Sequence, residues 1–344
     1  MKKKLAITIL FFLLIYIFFP TSTQPREGKE EGIYQLKKEE IDGSKITVLV
    51  RGDDAKNPVL LWVSGEDTFS EMCYITKYQE ALEECFTIVR YDAYGTGKSI
   101  SCDQDKHNVT IDKGVEEILG VTDCIRSFLN TDQVILVAEG YATALAIRAA
   151  AKAPEKYSMY VGVSQYTSLY EMEKNMIAYC LDQAIKQGQE QDIMELAMLQ
   201  EKCEEQEKVL PKEYYERYIK KEEDQQSRKD YILGFLLQPE YNIADVVKAY
   251  VAGVCISDLL FSELYARDVT AEVVSLSIPC LFVWGTKDHT TSKELCESYL
   301  NILEAPYKEF KQFGDSGSYP YRDEEIRFAV WLKGAYEKAE NQHK

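Results

Sequence analysis

Residues 134 to 146 read V-I-L-V-A-E-G-Y-A-T-A-L-A. The first part is a continuous apolar run, typical of a strand buried on both faces, and it predicts a strand over 134–137. The second part is rich in alanine, the best helix former, and predicts a helix over 142–151. Gly140 stands between the two, where a tight turn needs a residue that tolerates positive φ. The stretch therefore predicts a strand, a sharp turn and a helix.

The same alternation of apolar runs and helical stretches extends along much of the chain. Predicted strands cover 46–50, 59–63, 86–91, 159–163, 279–284 and, more weakly, 307–310. Predicted helices cover 70–84, 113–129, 292–303 and 324–336. This order predicts the α/β class, with a mostly parallel central sheet flanked by helices.

One region interrupts the alternation. Residues 167–267 contain no convincing buried strand, are rich in Glu, Gln, Lys and Tyr, and carry apolar residues at helical spacing. This region is interpreted as a helical lid inserted into a core formed by 32–166 and 268–338, with 339–344 as a tail. Its charges are expected to form a solvated outer face.

The composition limits the possible partners. The chain has 344 residues, 46% of them hydrophobic, which is enough for one domain with an insertion. Its formal net charge of -17 argues against nucleic acid, because phosphates would be repelled. The nine cysteines lack paired spacing and do not predict a disulfide framework. No metal site and no cofactor are predicted.

The N-terminus differs from the rest of the chain. Three lysines at 2–4 precede an uninterrupted apolar stretch at 5–19, which predicts a membrane anchor or signal segment over 1–20. A polar linker over 21–31 follows. The sequence thus predicts a single-pass protein of the cell membrane with its C-terminal domain outside the cytoplasm, in contact with the membrane through this segment only. The alternative is secretion after signal cleavage.

A glycine-containing stretch, Y-D-A-Y-G-T-G-K-S at 91–99, suggests a phosphate-binding loop. A Walker A loop requires a glycine five residues before Gly97, and this chain has Asp92 there. The backbone amides that cradle phosphate depend on those glycines, so a structural turn is the preferred interpretation.

Several stretches together resemble the α/β-hydrolase fold, and more narrowly its proline iminopeptidase-like branch of serine peptidases. They are L-L-W-V-S-G-E-D-T-F-S at 60–70, Y-D-A-Y-G-T-G-K-S at 91–99, L-V-A-E-G-Y-A-T-A-L-A at 136–146, I-P-C-L-F-V-W-G-T-K-D at 278–288 and F-G-D-S-G-S-Y-P-Y at 313–321. The resemblance covers roughly 45–335 and implies a catalytic triad at the carboxyl edge of the sheet, with a nucleophile at the turn between strand and helix.

The positions that carry chemistry in that family differ here. Gly140 stands where the resemblance implies the nucleophilic serine, and Ser318 stands where it implies the histidine base. Asp288 retains the acid position. Gly65 and Tyr141 hold the positions implied for the oxyanion hole, although only one glycine of the family's H-G-G-P-G stretch remains. Ser64 and Glu139 are candidates to line the pocket.

The chain contains only three histidines, His107, His289 and His343, and none is placed by its sequence context to serve the turn. Hydroxyl and thiol groups near the same sheet edge offer no visible base that would activate them. These candidates for a relocated nucleophile are Ser64, Cys102, Ser164, Ser316 and Ser318.

The sequence therefore predicts a pseudoenzyme: a membrane-anchored protein of hydrolase fold that binds a small molecule, a peptide or a protein in a lidded cleft. The alternative is an active hydrolase or aminopeptidase-like enzyme with a relocated nucleophile.

Overall fold

The computed structural model of the chain describes residues 21–65, 70–101, 104–105, 107, 109–202, 210–219, 229, 233–234 and 238–342. Within these residues, eight strands form one sheet in the order β1-β2-β4-β3-β5-β6-β7-β8. The strands are β1 (Ile33–Ile41), β2 (Ser44–Gly52), β3 (Val59–Val63), β4 (Thr87–Asp92), β5 (Val134–Glu139), β6 (Tyr157–Val163), β7 (Cys280–Gly285) and β8 (Lys308–Phe313).

The sheet is mostly parallel, which confirms the predicted fold class. β2 runs antiparallel to both β1 and β4, whereas β3 to β8 pair in parallel. Because β3 to β8 share one direction, their carboxyl ends, and the loops that follow them, meet at one edge. The tip of the β1–β2 hairpin reaches this edge too, since Thr47 of β2 pairs with Asp92 at the end of β4.

In the part of the chain that the structure describes, eight longer helices accompany the sheet. They are α1 (Ile111–Leu129), α2 (Ala142–Lys152), α3 (Leu169–Gln187), α4 (Glu190–Lys202), α5 (Ile243–Ala252), α6 (Ile256–Ala266), α7 (Lys293–Ile302) and α8 (Glu325–Gln342). One apolar core joins the sheet to α1, α2 and α7, and a second core joins the opposite face to α8. The central strands are buried from both sides, which explains their continuous apolar sequences.

The described residues between β6 and β7 form helices and no strand of the sheet. Part of this region has its own small apolar cluster, in which Ile177 and Cys180 of α3 pack with Leu196 of α4. The lid interpretation of 167–267 rests on this arrangement and stays a prediction as far as its boundaries are concerned.

Two local expectations differ from the structure. The edge strand β1 was not predicted, because its charged sequence Y-Q-L-K-K-E-E lacks a buried face. The single helix expected over 70–84 is instead three short helical turns, Glu71–Cys73, Ile75–Lys77 and Glu80–Glu83.

The beginning of the expected linker is bonded to the core. The hydroxyl of Thr23 donates to Glu240 Oε1 at 2.7 Å, and Arg51 Nη1 donates to the Thr23 hydroxyl at 2.5 Å. The expected anchor at 1–20 lies outside the described residues. Among the helices that are described, none has the length and apolarity needed to cross a membrane.

Candidate functional site

The turn after β5 has the backbone geometry that the sequence predicts. Gly140 follows Glu139, the last residue of β5, with φ of 53°, and Tyr141 precedes the first turn of α2 with φ of -61°. The Gly140 amide donates to the carbonyl of Val163 at 3.1 Å, which fixes the turn to β6. We call Glu139, Gly140 and Tyr141 the elbow.

The elbow has room for a side chain at its tip. Among the described residues, a Cβ built on Gly140 would meet only the Cα of Gly65, at 3.8 Å, which is ordinary van der Waals contact. None of these described neighbours therefore imposes the absence of a side chain. What Gly140 avoids is the strain that positive φ imposes on any residue with a Cβ.

Gly65 lies directly against the elbow. A Cβ on this residue would stand 2.4 Å from the carbonyl oxygen of Glu139, so only glycine fits the approach of the two backbones. Gly65 and Tyr141, the two residues expected at the oxyanion hole, thus lie on either side of the tip. The neighbouring Glu66 and Asp67 lie outside the described residues.

Asp288, the residue expected at the acid position, is buried and bonded within its own loop. Its Oδ1 accepts from the amides of Thr290 at 2.8 Å and Thr291 at 3.1 Å, and its Oδ2 accepts from the Thr291 hydroxyl at 2.5 Å. These bonds account for the burial of this carboxylate without a histidine.

The base position, Ser318, lies in the loop after β8. Its carbonyl accepts a hydrogen bond from the Ser164 hydroxyl at 3.2 Å. Ser164 follows β6 and has φ of 51°, a conformation that non-glycine residues adopt rarely. Its amide donates to Val283 of β7 at 2.9 Å. Ser164 thus connects the end of β6, next to the elbow, with the loop of the missing base.

The described histidines serve other places in the fold. His107 is exposed in the loop before α1. The ring of His289 stacks on Tyr179 of α3, with centroids 3.9 Å apart and planes at 15°, and so packs the loop after β7 against the helices between β6 and β7. His343 lies outside the described residues.

Glu139 is a buried carboxylate that sequence reasoning could place but not interpret. Its Oε2 accepts from the indole of Trp62 at 3.2 Å, and its Oε1 accepts from the hydroxyl of Ser64 at 3.3 Å. Both donors come from β3 and its end. Ser64 and Glu139 are therefore in hydrogen-bond contact at the elbow. Their expected role in lining a pocket stays a prediction.

A cavity of about 140 Å³ opens at the elbow. It lies between the β1–β2 hairpin, the ends of β3 and β4, and the helices α1, α2 and α6. Its apolar lining is Ile41, Val63, Val109, Ile118, Leu145, Ile256 and Leu260, and its polar lining includes Asp42, Ser64, Tyr91, Tyr94, Lys113, Glu117 and Tyr141. We call it the elbow cavity.

Glu117 is the lining residue that sequence reasoning missed. It lies on α1, and its Oε2 accepts from the backbone amide of Tyr94 at 2.9 Å. Burial raises the pKa of Glu117 to about 7, and the nearby carboxylate of Asp42 adds to the rise. On a predicted helix, a glutamate that lines a cavity cannot be distinguished from one that faces solvent. The sequence therefore contains no sign that Glu117 lies in the cavity.

The G-T-G-K-S stretch forms a structural turn, as expected. The carboxylate of Asp92 accepts from the amide of Lys98 at 2.6 Å and from the hydroxyl of Tyr241. A Cβ on Gly97 would lie 2.4 Å from Asp92 Oδ2, which explains the glycine. Burial raises the pKa of Asp92 to about 6.

Within the described part of the chain, seven cysteines are free thiols and no cluster of His, Cys, Asp and Glu could hold a metal ion. Burial raises the pKa of several of these thiols, including Cys180 to about 12. A buried thiol with a raised pKa is a poor nucleophile at neutral pH.

Comparison with known proteins supports the fold. The chain is 25% identical over 328 residues to the probable aminopeptidase YbaC of Bacillus subtilis, with 88% of this chain and 96% of that protein covered. The proline iminopeptidase-related protein of Thermus thermophilus is similar in structure, with TM-score 0.61, 18% identity, and coverage of 90% of this chain and 99% of that one.

More distant solved structures give the same result. The epoxide hydrolase VrEH1 of Vigna radiata has TM-score 0.57 and 16% identity, with 90% of this chain and all of that one covered (100%). No family model matches the sequence. The chain has the α/β-hydrolase fold, which confirms the resemblance stated from its motifs.

Proposed function

We propose that this protein is a non-catalytic member of the α/β-hydrolase fold that binds a ligand in the elbow cavity. The observation that carries the proposal is Gly140: the turn of the elbow is formed, and its tip offers no side-chain oxygen or sulfur atom. A nucleophile is the central requirement of acyl transfer by such a site, and its loss alone typically costs about 10⁶ in turnover.

The surroundings of the elbow support this proposal. Asp288 satisfies both of its oxygens within its own loop, and Ser318 offers no imidazole to accept a proton. The elbow cavity, in contrast, retains an apolar lining with a few polar groups, which is typical of a small-molecule site. The scaffold thus keeps a cavity that is suitable for binding, and it lacks the nucleophile and the base that hydrolysis needs at the elbow.

The competing function is a working hydrolase or aminopeptidase with a relocated nucleophile. The hydrogen bond from the Ser64 hydroxyl to the buried Glu139 favours it, because a carboxylate is the general base within reach of a hydroxyl there. The printed name of the Bacillus subtilis relative, a probable aminopeptidase, also belongs to this alternative.

A fluorophosphonate probe separates the two functions. Under the proposed function the purified full chain gives no site-specific labelling, whereas labelling that maps to one serine and disappears in Ser64→Ala would establish the alternative. Ser257→Ala, a change in the half-buried second residue of α6, is the matched control. Peptide mapping of the labelled protein provides the readout.

Reconstruction of the triad tests the same proposal by restoring the side chains that hydrolysis would require. Gly140→Ser combined with Ser318→His should raise ester hydrolysis above the parent, since the tip has space for a side chain.

Asp288→Asn in the parent should lower stability through lost loop hydrogen bonds and leave any activity unchanged. A clear fall in parental turnover on Asp288→Asn would contradict the non-catalytic assignment.

We also propose that the N-terminal segment anchors the protein in the cell membrane, with the domain outside the cytoplasm. The ligand is then taken from the extracytoplasmic side. Extraction of cell membranes with alkaline carbonate should leave the full chain in the membrane fraction. Release of the protein into the soluble fraction would indicate cleavage and secretion.

A further inference from the structure

The elbow cavity contains a carboxylate, Glu117, that forms no ion pair with any basic residue in the described part of the chain. Glu117 Oε2 accepts from the Tyr94 amide at 2.9 Å, and no described basic group forms an ion pair with this residue. The other carboxylate in the lining, Asp42, repels it. Glu117 is half-buried and the walls around it are mostly apolar, so its charge is less well solvated than that of an exposed carboxylate.

From this arrangement we propose that the elbow cavity binds a small apolar primary amine, whose ammonium group pairs with Glu117. This inference rests on the proposed binding function and names its ligand class. The cavity volume of about 140 Å³ suits a body of roughly the size of a benzene ring, since cavities of about 150 Å³ accept benzene. Apolar residues from α1, α2 and α6 surround that body.

Charge complementarity selects an amine over an acid. The lining carries two carboxylates, Asp42 and Glu117, and one lysine, Lys113, and no ion pair joins Lys113 to Glu117 among the described residues. Of these groups Glu117 is the least exposed, so a ligand carboxylate beside it would be repelled and poorly solvated. An ammonium group supplies the charge-assisted hydrogen bond that Glu117 lacks. The raised pKa of Glu117, about 7, is what an unbalanced carboxylate in apolar surroundings should have. The amine would therefore bind more tightly than its neutral isostere.

Proton release gives a signature that a structural role for Glu117 would not produce. At pH 6 a carboxyl with a pKa of about 7 is mostly protonated, and an ammonium ligand requires the ionised form. Binding should then release nearly one proton. The other titratable groups in the cavity lining are Asp42, Tyr91, Tyr94, Lys113 and Tyr141, of which Lys113 lies one turn before Glu117 on α1.

The experiment is isothermal titration of the full chain with benzylamine at pH 6, in buffers of different ionisation enthalpy. We expect binding with release of about one proton, and at least about tenfold weaker binding by Glu117→Gln. Benzyl alcohol should bind weakly to both proteins. Glu116→Gln, an exposed neighbour that pairs with Lys152, is the matched control and should keep the parental affinity.

Three results would overturn the proposal. They are equal binding of benzylamine by the parent and Glu117→Gln, binding of benzyl alcohol as tight as that of benzylamine, and no binding of benzylamine at all. If these occur while fluorophosphonate labels no serine, the ligand class is wrong and the non-catalytic function stands. Serine labelling refutes the function whatever benzylamine does.

Discussion

Gly140 separates two properties that a catalytic elbow normally combines, namely a strained backbone and an exposed nucleophile. Its φ of 53° keeps the sharp turn from β5 into α2, and the Val163 carbonyl holds the turn in place. A residue with a Cβ would be strained at this φ, and such strain is found mainly where it serves function. Glycine removes the strain and, under the proposed function, the reacting atom as well.

This view predicts the stability of an alanine variant. Gly140→Ala should lower the free energy of unfolding by about 1–2 kcal/mol, because positive φ is unfavourable for an L-residue and the new methyl group meets no clash. Urea unfolding measures the change. Gly334→Ala in α8 is the control: its Cβ also meets nothing within 4 Å, and it should stabilise by about 0.5–1 kcal/mol. An increase in the free energy of unfolding for both variants would contradict the conclusion that positive φ strains a side chain at position 140.

At the scale of single elements, the carboxyl end of β4 carries a buried carboxyl group, Asp92, whose ionised form is unfavourable. Asp92 is buried, and burial raises its pKa from the ordinary 3.8 to about 6. A raised pKa means that the folded state favours the protonated acid. The contribution of Asp92 to stability is therefore fully present below about pH 4 and is lost as the pH rises through about 6.

Asp92→Asn tests this pH dependence. The amide oxygen can still accept from the Lys98 amide and the Tyr241 hydroxyl, but the side chain no longer ionises. The free energy of unfolding of the variant, relative to that of the parent, should rise by on the order of 1–3 kcal/mol as the pH increases from 4 to 7. Urea unfolding at both pH values gives the difference. A difference that stays constant with pH would show that Asp92 is ionised throughout this range.

The sequence predicted the buried strands and long helices well, because burial on both faces imposes a continuous apolar pattern. It missed β1, which lies at the sheet edge and is only partly buried. A local signal existed: Asp42 and Gly43, both with positive φ, form the two-residue turn that is typical of a hairpin.

The candidate site was only partly accessible from the sequence. The motif order located Gly140, Asp288 and Ser318, because each follows a recognisable strand. The loop hydrogen bonds of Asp288 depend on backbone geometry that no residue pattern encodes. Glu117 lies in the cavity because α1 packs beside the elbow, which is a property of the tertiary structure.

At the scale of the whole molecule, a buried ionic network joins distant parts of the chain. Arg51 of β2 forms an ion pair with Glu83, with Nε to Oε1 at 2.7 Å, and its Nη1 lies 3.7 Å from Glu240 Oε1. Thr23 bonds to both Arg51 and Glu240. The network therefore ties the start of the domain and the segment before α5 to one strand.

Removal of the central cation should affect the entire fold. Arg51→Ala leaves Glu83 and Glu240 buried without their counter-charge, and we expect a loss of about 3–5 kcal/mol in the free energy of unfolding. Lys152→Ala, which breaks the exposed pair with Glu116, should cost at most about 1 kcal/mol. Urea unfolding of the two variants provides the comparison.

The same variant should loosen residues 21–24 before it unfolds the sheet. Arg51 Nη1 also donates to the carbonyl of Gln24 at 2.9 Å, so its removal breaks two of the bonds that hold residues 21–24. Limited proteolysis under native conditions should cut this segment faster in Arg51→Ala than in Lys152→Ala. Equal cutting rates and equal stabilities would mean that the network does not hold residues 21–24, and that the bonds from Ser22 to Pro239 and from Lys98 to Thr21 suffice.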